Sequence, residues 1–196
     1  GHPGEPRAMT LIETTPTTYV FEGGVTLPRV TSILSVVHKF DGIPLDALAH
    51  AAERGRGAHR GVWLIETNHG GGLDRASMNP EVAPFVDSYE KAKAALGFTV
   101  VEAEKLVASK LYGFAGRVDL AVEWNGRGIL DLKTGAEHWS HRLQVAAYVQ
   151  AYLVHYGARK IRRWILYLRD TGAIARLKDL DLESTQARDF KNFCAI

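Results

Sequence analysis

Cysteine is nearly absent: Cys194 is the only one in 196 residues. A lone thiol excludes a disulfide framework, a four-cysteine zinc site and an iron-sulfur cluster, each of which needs several thiolates, and it points to a reducing, cytoplasmic setting. Long apolar runs are missing too. The most apolar stretch, around Val145 to Val154, is too short and too amphipathic to cross a bilayer, and no basic-then-apolar leader opens the sequence, so neither membrane attachment nor export is expected. An excess of one charge is also lacking: 24 Lys and Arg against 22 Asp and Glu leave +2, so any attraction to nucleic acid must come from local clusters. With 46% hydrophobic and 23% charged residues, the composition is that of a compact domain and not of a disordered or coiled-coil chain. Residues 1–8 precede Met9 and read as an expression-tag remnant, leaving 9–196 as a single domain without repeats or low-complexity linkers.

The periodicity predicts mixed α/β structure. Tyr19-Val20-Phe21 and Val25-Thr26-Leu27 flank a glycine turn as a strand pair, and Pro28 then sits where a helix can begin, with Val30, Ile33, Leu34 and Val37 at helical spacing. Pro44 starts a second helix interrupted by Gly55, Gly57 and Gly61. Each costs about 1 kcal/mol relative to alanine, which suggests close packing or approach to a ligand. His69 to Asn79 reads as a loop, and Asn79-Pro80-Glu81 as the cap and first turn of a third helix. Strands follow over 98–109, 113–124 and 128–133, then a helix over 138–156, strands over 161–169 and 173–178, and a last helix capped by Ser184.

The strands over 113–124 and 128–133 carry the chemistry. Val118, Leu120, Val122, Leu130 and Leu132 occupy even positions, whereas Arg117, Asp119, Glu123, Asp131 and Lys133 occupy odd ones, so one face is expected to be core and the other charged. A two-residue Asn125-Gly126 hairpin would pair residues whose numbers sum to 251 and would put Asp119 on the face of Leu132. The connection must therefore have an odd loop length or a bulge. Either brings Asp119, Asp131 and Lys133 to one face, where two carboxylates can hold a divalent cation beside an ammonium.

An Asp-x-Lys triplet alone arises about 0.7 times by chance in a chain of this size. Further elements in order give it weight: Gly55-Arg56-Gly57-Ala58-His59, an acid at Glu104 with Glu102 competing for the role, Gly116 to Asp119, Asp131-Leu132-Lys133, and Gln144 to Tyr148. Together with Leu27 to Leu34, similar to a "Pro-x-Val-Thr-x-Ile-Leu" opening, this pattern resembles the RecB-like, phage exonuclease branch of the PD-(D/E)XK nuclease superfamily from about Tyr19 to Tyr152. The resemblance implies an α/β fold with a restriction-endonuclease-like core, a central mixed sheet flanked by helices. It implies that His59, Asp119, Asp131 and the Leu132 carbonyl ligate Mg²⁺ or Mn²⁺. Lys133, Asp131, Asp119 and Glu104 would be the catalytic set, and Lys133 would orient or deprotonate the attacking water. Gln144 and Tyr148 would support the site or hold the scissile phosphate, and Arg56 and Arg60 would contact DNA.

The activity implied is metal-dependent DNA hydrolysis, foremost by an exonuclease of phage recombination or repair. An endonuclease or nickase of the same fold, or a silent DNA-binding subunit, is the alternative. DNA is the expected partner, beside a second copy of the chain or a recombination protein, in the cytoplasm of a bacterial host. The remaining histidines are assigned to structure or surface, and the tryptophans to packing first and base stacking second. Arg159, Lys160, Arg162, Arg163 and Arg169 form a late basic cluster for which a solvated face is the ordinary fate.

Overall fold

Short runs of β-branched and aromatic residues around glycine turns build the first sheet. In the computed structural model, which describes residues 10–37, 42–67, 73–156 and 160–196, strands β1 (Leu11–Thr14), β2 (Thr18–Phe21) and β3 (Val25–Pro28) form an antiparallel sheet in that order. The tag-like residues 1–8, His38, His69, Gly70 to Gly72 and Arg159 lie outside the described residues, as does the side chain of His155. Pro28 ends β3 and does not start a helix; helix α1 (Val30–Leu34) begins after Arg29, whose extended backbone makes it the N-cap. Tyr19, Phe21 and Leu27 bury their even-period face against Ala108 and Ala115 of the main sheet.

The main sheet comprises β4 (Thr99–Ser109), β5 (Phe114–Glu123), β6 (Arg127–Lys133), β7 (Arg162–Tyr167) and β8 (Arg176–Asp179), side by side in sequence order. All neighbours run antiparallel except β6 and β7, which are parallel and joined through helix α4 (Ser140–Tyr156). A parallel pair needs such a crossover, and the crossover lays a helix on the sheet. The sheet is therefore mixed and covered on both faces, as the α/β expectation requires.

That coverage corrects the expectation of one apolar and one charged face. Leu120, Val122, Leu130 and Leu132 pack under helices α2 (Leu45–Thr67) and α3 (Ala83–Leu96), through Ala58, Val62, Phe85 and Tyr89. On the other face Ala121 and Ile129 join Val145, Val149 and Tyr152 in a second core. Asp119 and Asp131 thus share their face with buried apolar neighbours, and Asp131 has no exposed surface. The alternation marked the register correctly but understated burial, because Ala121 and Ile129 stand among the charged odd positions.

The glycines of α2 have the packing role their cost suggested. A Cβ on Gly57 would lie 2.8 Å from Val82 and one on Gly61 2.7 Å from Val86, so α2 and α3 approach closely. Asn79 caps a turn that runs directly into α3, its Oδ1 accepting from Glu81 N at 2.8 Å and its carbonyl from Ala83 N at 3.1 Å; the helix itself starts at Ala83, with Pro84 in its first turn. Helix α5 (Gln186–Phe193) is capped by Thr185, which accepts from Arg188 N at 3.2 Å, and not by Ser184, whose hydroxyl donates to Asp189. Arg163, counted in the late basic cluster, is fully buried and donates to Asp181 at 2.8 Å and to Asp189 at 2.6 Å. It holds α5 to the sheet and presents nothing to a ligand. Among the described residues no helix is long and apolar enough to cross a membrane.

A stability prediction follows from Gly128 in β6, where a Cβ would overlap the Trp164 ring. Both sit inside the sheet core, so relief requires moving backbone or a buried indole. Gly128→Ala is expected to lose about 1–3 kcal/mol by overpacking, read as a lowered Tm in thermal melts. An unchanged melt would mean that Trp164 has room to turn.

Candidate active site

The connection from β5 to β6 decides where the carboxylates point. Leu120 pairs with Leu130, Val122 with Gly128 and Glu123 with Arg127, so paired numbers sum to 250 and the loop is Trp124-Asn125-Gly126. Its odd length rests on positive φ at Asn125 (51°) and Gly126 (106°), a conformation that asparagine and glycine tolerate best. The pairing ends at Leu120 and Leu130, and Asp119 and Asp131 follow just past that last rung. On the other side, Ala103 pairs with Leu120 and Lys105 with Val118, which sets Glu104 opposite Asp119. Three acids on adjacent strands therefore gather where the β5–β6 ladder ends.

Glu104 differs from its neighbours in backbone. Its φ of 53° places a non-glycine residue in the left-handed region, at a cost of about 1 kcal/mol or more. The consequence separates two competing acids. Glu104 turns toward His59 and Asp119, and one ligand atom from each of the three lies within 4.8 Å of the others. Glu102 instead meets the Lys105 ammonium at 2.6 Å and accepts from the Tyr152 hydroxyl at 3.1 Å.

His59 arrives from α2. Gly55, one turn earlier, lets the helix approach the end of β6, where an added Cβ would sit 3.1 Å from Thr134 Oγ1. His59 Nδ1 then lies 3.2 Å from Asp119 Oδ1, although the two residues are distant in sequence. Asp119 Oδ2 accepts from Leu132 N at 2.7 Å. Since the N–H and C=O of one strand residue point to the same side, the Leu132 carbonyl also faces β5, beyond the last paired rung at Leu120 and Leu130.

Asp131 and Lys133 form a second group beside the first. The ammonium lies 2.5 Å from Asp131 Oδ2 and donates to Gln144 Oε1 at 3.1 Å. Gln144 Nε2 in turn donates to the Tyr148 hydroxyl at 2.9 Å and reaches Asp131 Oδ1 at 3.4 Å. Asp131 Oδ2 is buried and, despite the close ammonium, accepts no well-directed hydrogen bond. Gly116 is needed here, because any Cβ would overlap the Tyr148 ring.

The electrostatics follow from burial and opposed charges. Burial alone would raise the Asp119 carboxyl, but the His59 imidazole, the Lys133 charge and the Leu132 N–H outweigh it and hold its pKa below the usual value. Burial lowers His59, yet Asp119 overcomes that and raises it above 6.5. Asp131 is pushed up to about 6, mainly by burial, with Lys133 pulling down and Asp119 pushing up. Glu104 is raised by burial and by the nearby Asp119.

These directions set a pH dependence for the metal-free protein. Asp131, with a folded pKa near 6 against an ordinary 3.8, binds its proton more tightly when folded, so its contribution to stability falls as pH rises from about 4 to about 6. The raised His59 adds stability below 6.5 that is lost as pH climbs through its higher folded value. In chelator, Tm is expected to fall from pH 5 to pH 8, and Asp131→Asn is expected to flatten the acidic half of that decline. A metal-free Tm that rises over this range would contradict the charge distribution.

The residues open into a cleft of about 890 Å³. Arg56, Arg60, Trp63, Lys133, Gln144 and Tyr148 line it, with the Arg60 guanidinium stacked 4.0 Å over the Trp63 ring. Arg29, Thr31, Arg117 and Thr134 line it as well and were not singled out as site residues from sequence. Arg117 and Thr134 carry a usable signal, two residues before Asp119 and one after Lys133; Arg29 is separated from the acids by the whole of α2 and α3. The donor set suits a hard divalent cation: two carboxylates and one imidazole within reach of each other, and a further buried carboxylate alongside.

Comparison with known proteins gives a family-model match to the PD-(D/E)XK nuclease superfamily over residues 44–195. No curated protein matches the chain.

Proposed function

Because the chain belongs to the PD-(D/E)XK nuclease superfamily, we propose that it is a metal-dependent DNA nuclease, most specifically an exonuclease of phage recombination or repair type. The observation that carries this reading is the convergence of His59, Glu104 and Asp119 on one point, with the Lys133 ammonium beside Asp131 in the same cleft. His59, Glu104 and Asp119 would hold the cation, with Asp131 and the Leu132 carbonyl adjoining. A bound Mg²⁺ or Mn²⁺ supplies charge neutralisation for the phosphoryl group and lowers the pKa of water.

The chain's own residues do the rest. The Lys133 ammonium, fixed between Asp131 and Gln144 Oε1, orients the attacking water and stabilises charge on the phosphate oxygens. Gln144 ties Lys133, Asp131 and Tyr148 into one network, so that the ammonium does not wander. Arg56 and Arg60, exposed on the helix that carries His59, supply positive charge to the phosphate backbone.

The test is incubation of end-labelled linear and covalently closed circular DNA with Mg²⁺, Mn²⁺ or chelator. Release of end label from linear DNA alone, abolished by chelator, supports the exonuclease reading. Cleavage of the circle would reassign the protein as an endonuclease or nickase, and binding without cleavage as a silent DNA-binding subunit. In the same assay, His59→Ala is expected to raise the metal concentration for half-maximal cleavage, more for Mn²⁺ than for Mg²⁺, because imidazole favours the softer ion. An unchanged requirement would remove His59 from the ligand set.

A further inference from the structure

A second hollow of about 350 Å³ adjoins the cleft and shares Arg29, Thr31, Glu104, Arg117 and Tyr148 with it. Its far wall comes from Thr14 of β1 and Tyr19 of β2, in the amino-terminal sheet that lies outside the family-matched residues 44–195. That sheet therefore adds a wall to the cleft beyond what the matched span provides.

Arg29 stands where the two hollows meet and is fixed from three directions. Its backbone N–H donates to Thr17 O at 2.8 Å, its backbone bridges Ala115 next to Gly116, and its guanidinium stacks 4.8 Å from the Tyr19 ring centre. No acidic side chain among the described residues pairs with it, and its Nε is buried without an acceptor. That nitrogen is closed to solvent and to any ligand, so what Arg29 brings to the two hollows it lines is an uncompensated positive charge. Arg117, across the shared boundary, lies 3.8 Å from Glu104 at its Nε and remains partly exposed. A fixed, planar, unpaired guanidinium beside a half-committed one suits a phosphodiester oxygen better than any neutral group.

We propose that Arg29, with Arg117 and the Thr31 hydroxyl, forms a subsite for the phosphate next to the scissile one in a polynucleotide strand. This rests on the nuclease reading for its direction: the strand passes from the His59, Glu104 and Asp119 cluster, over the Arg29 boundary, into the smaller hollow. The subsite would make the enzyme favour chains over isolated phosphodiesters.

Two readouts test it on the full chain. In chelator, anisotropy of a labelled single-stranded oligonucleotide gives affinity against salt; Arg29→Ala is expected to weaken binding and to flatten the slope of log K against log salt by about 0.7, the effect of one lost phosphate contact. With metal, Arg29→Ala should lower kcat/KM for the oligonucleotide at least tenfold more than for thymidine 5′-p-nitrophenyl phosphate, which has no neighbouring phosphate. Thermal melts check folding, and Arg29→Gln replaces Arg29→Ala if the latter is unfolded. An unchanged salt slope, or an equal fall on both substrates, overturns the subsite. If the wild-type chain hydrolyses neither substrate, the nuclease reading fails, and the salt slope alone decides the subsite. If it binds no oligonucleotide, the subsite falls as well.

Discussion

Asp119→Asn is expected to lower DNA cleavage by at least about a thousandfold while the protein still folds. Both oxygens of this side chain are engaged: one faces His59 Nδ1 at 3.2 Å, the other accepts from Leu132 N at 2.7 Å, and both belong to the acid that would ligate the cation. Asparagine preserves shape and can keep the Leu132 bond through its carbonyl oxygen. Its amide then offers the cation a neutral and weaker donor, and it no longer holds a positive His59 in place. The volume is unchanged and the neighbouring core under α4 is untouched, so the melt should shift by only a few degrees. Asp131→Asn should be nearly as damaging to cleavage. Near-normal turnover by both variants would remove the cluster from the chemistry.

Lys133→Met has the second largest expected effect, a fall in kcat of about 10²–10⁴, the range for a positioned proton-transferring group. Methionine keeps most of the aliphatic volume but leaves Asp131 buried without its ammonium partner at 2.5 Å. An ammonium cannot ligate a cation, so manganese binding should survive, and it should tighten if Asp131 is then free to face the metal. Calorimetric titration with Mn²⁺ separates the roles. Affinity lost as severely as in Asp119→Asn would mean that Lys133 shapes the site and does not act on the reaction.

Much of this was readable from alternation. The parity argument required an odd loop or a bulge after Glu123, and the three-residue Trp124 to Gly126 connection is the first of these. Glycine spacing in α2 anticipated the close approach to α3. Other features depend on contacts that no local pattern encodes. The positive φ of Glu104, which distinguishes it from Glu102, arises from the demands of the fold on one strand position and leaves no composition signal. Arg163 looks like part of a basic surface until Asp181 and Asp189, distant in sequence, are brought around it. Strand β1 escaped notice because it is exposed along most of its length and shows no apolar alternation. The arrival of Gln144 from α4 on the Asp131 and Lys133 pair likewise depends on the crossover helix.

The central claim is that His59, Glu104 and Asp119 hold the divalent cation on which hydrolysis depends. Anomalous diffraction from crystals grown with Mn²⁺ tests it most directly. The account predicts a manganese peak within bonding distance of His59, Glu104 and Asp119, with Lys133 not bonded to the metal. A peak held elsewhere, with His59 and Glu104 both beyond ligand reach, would contradict it.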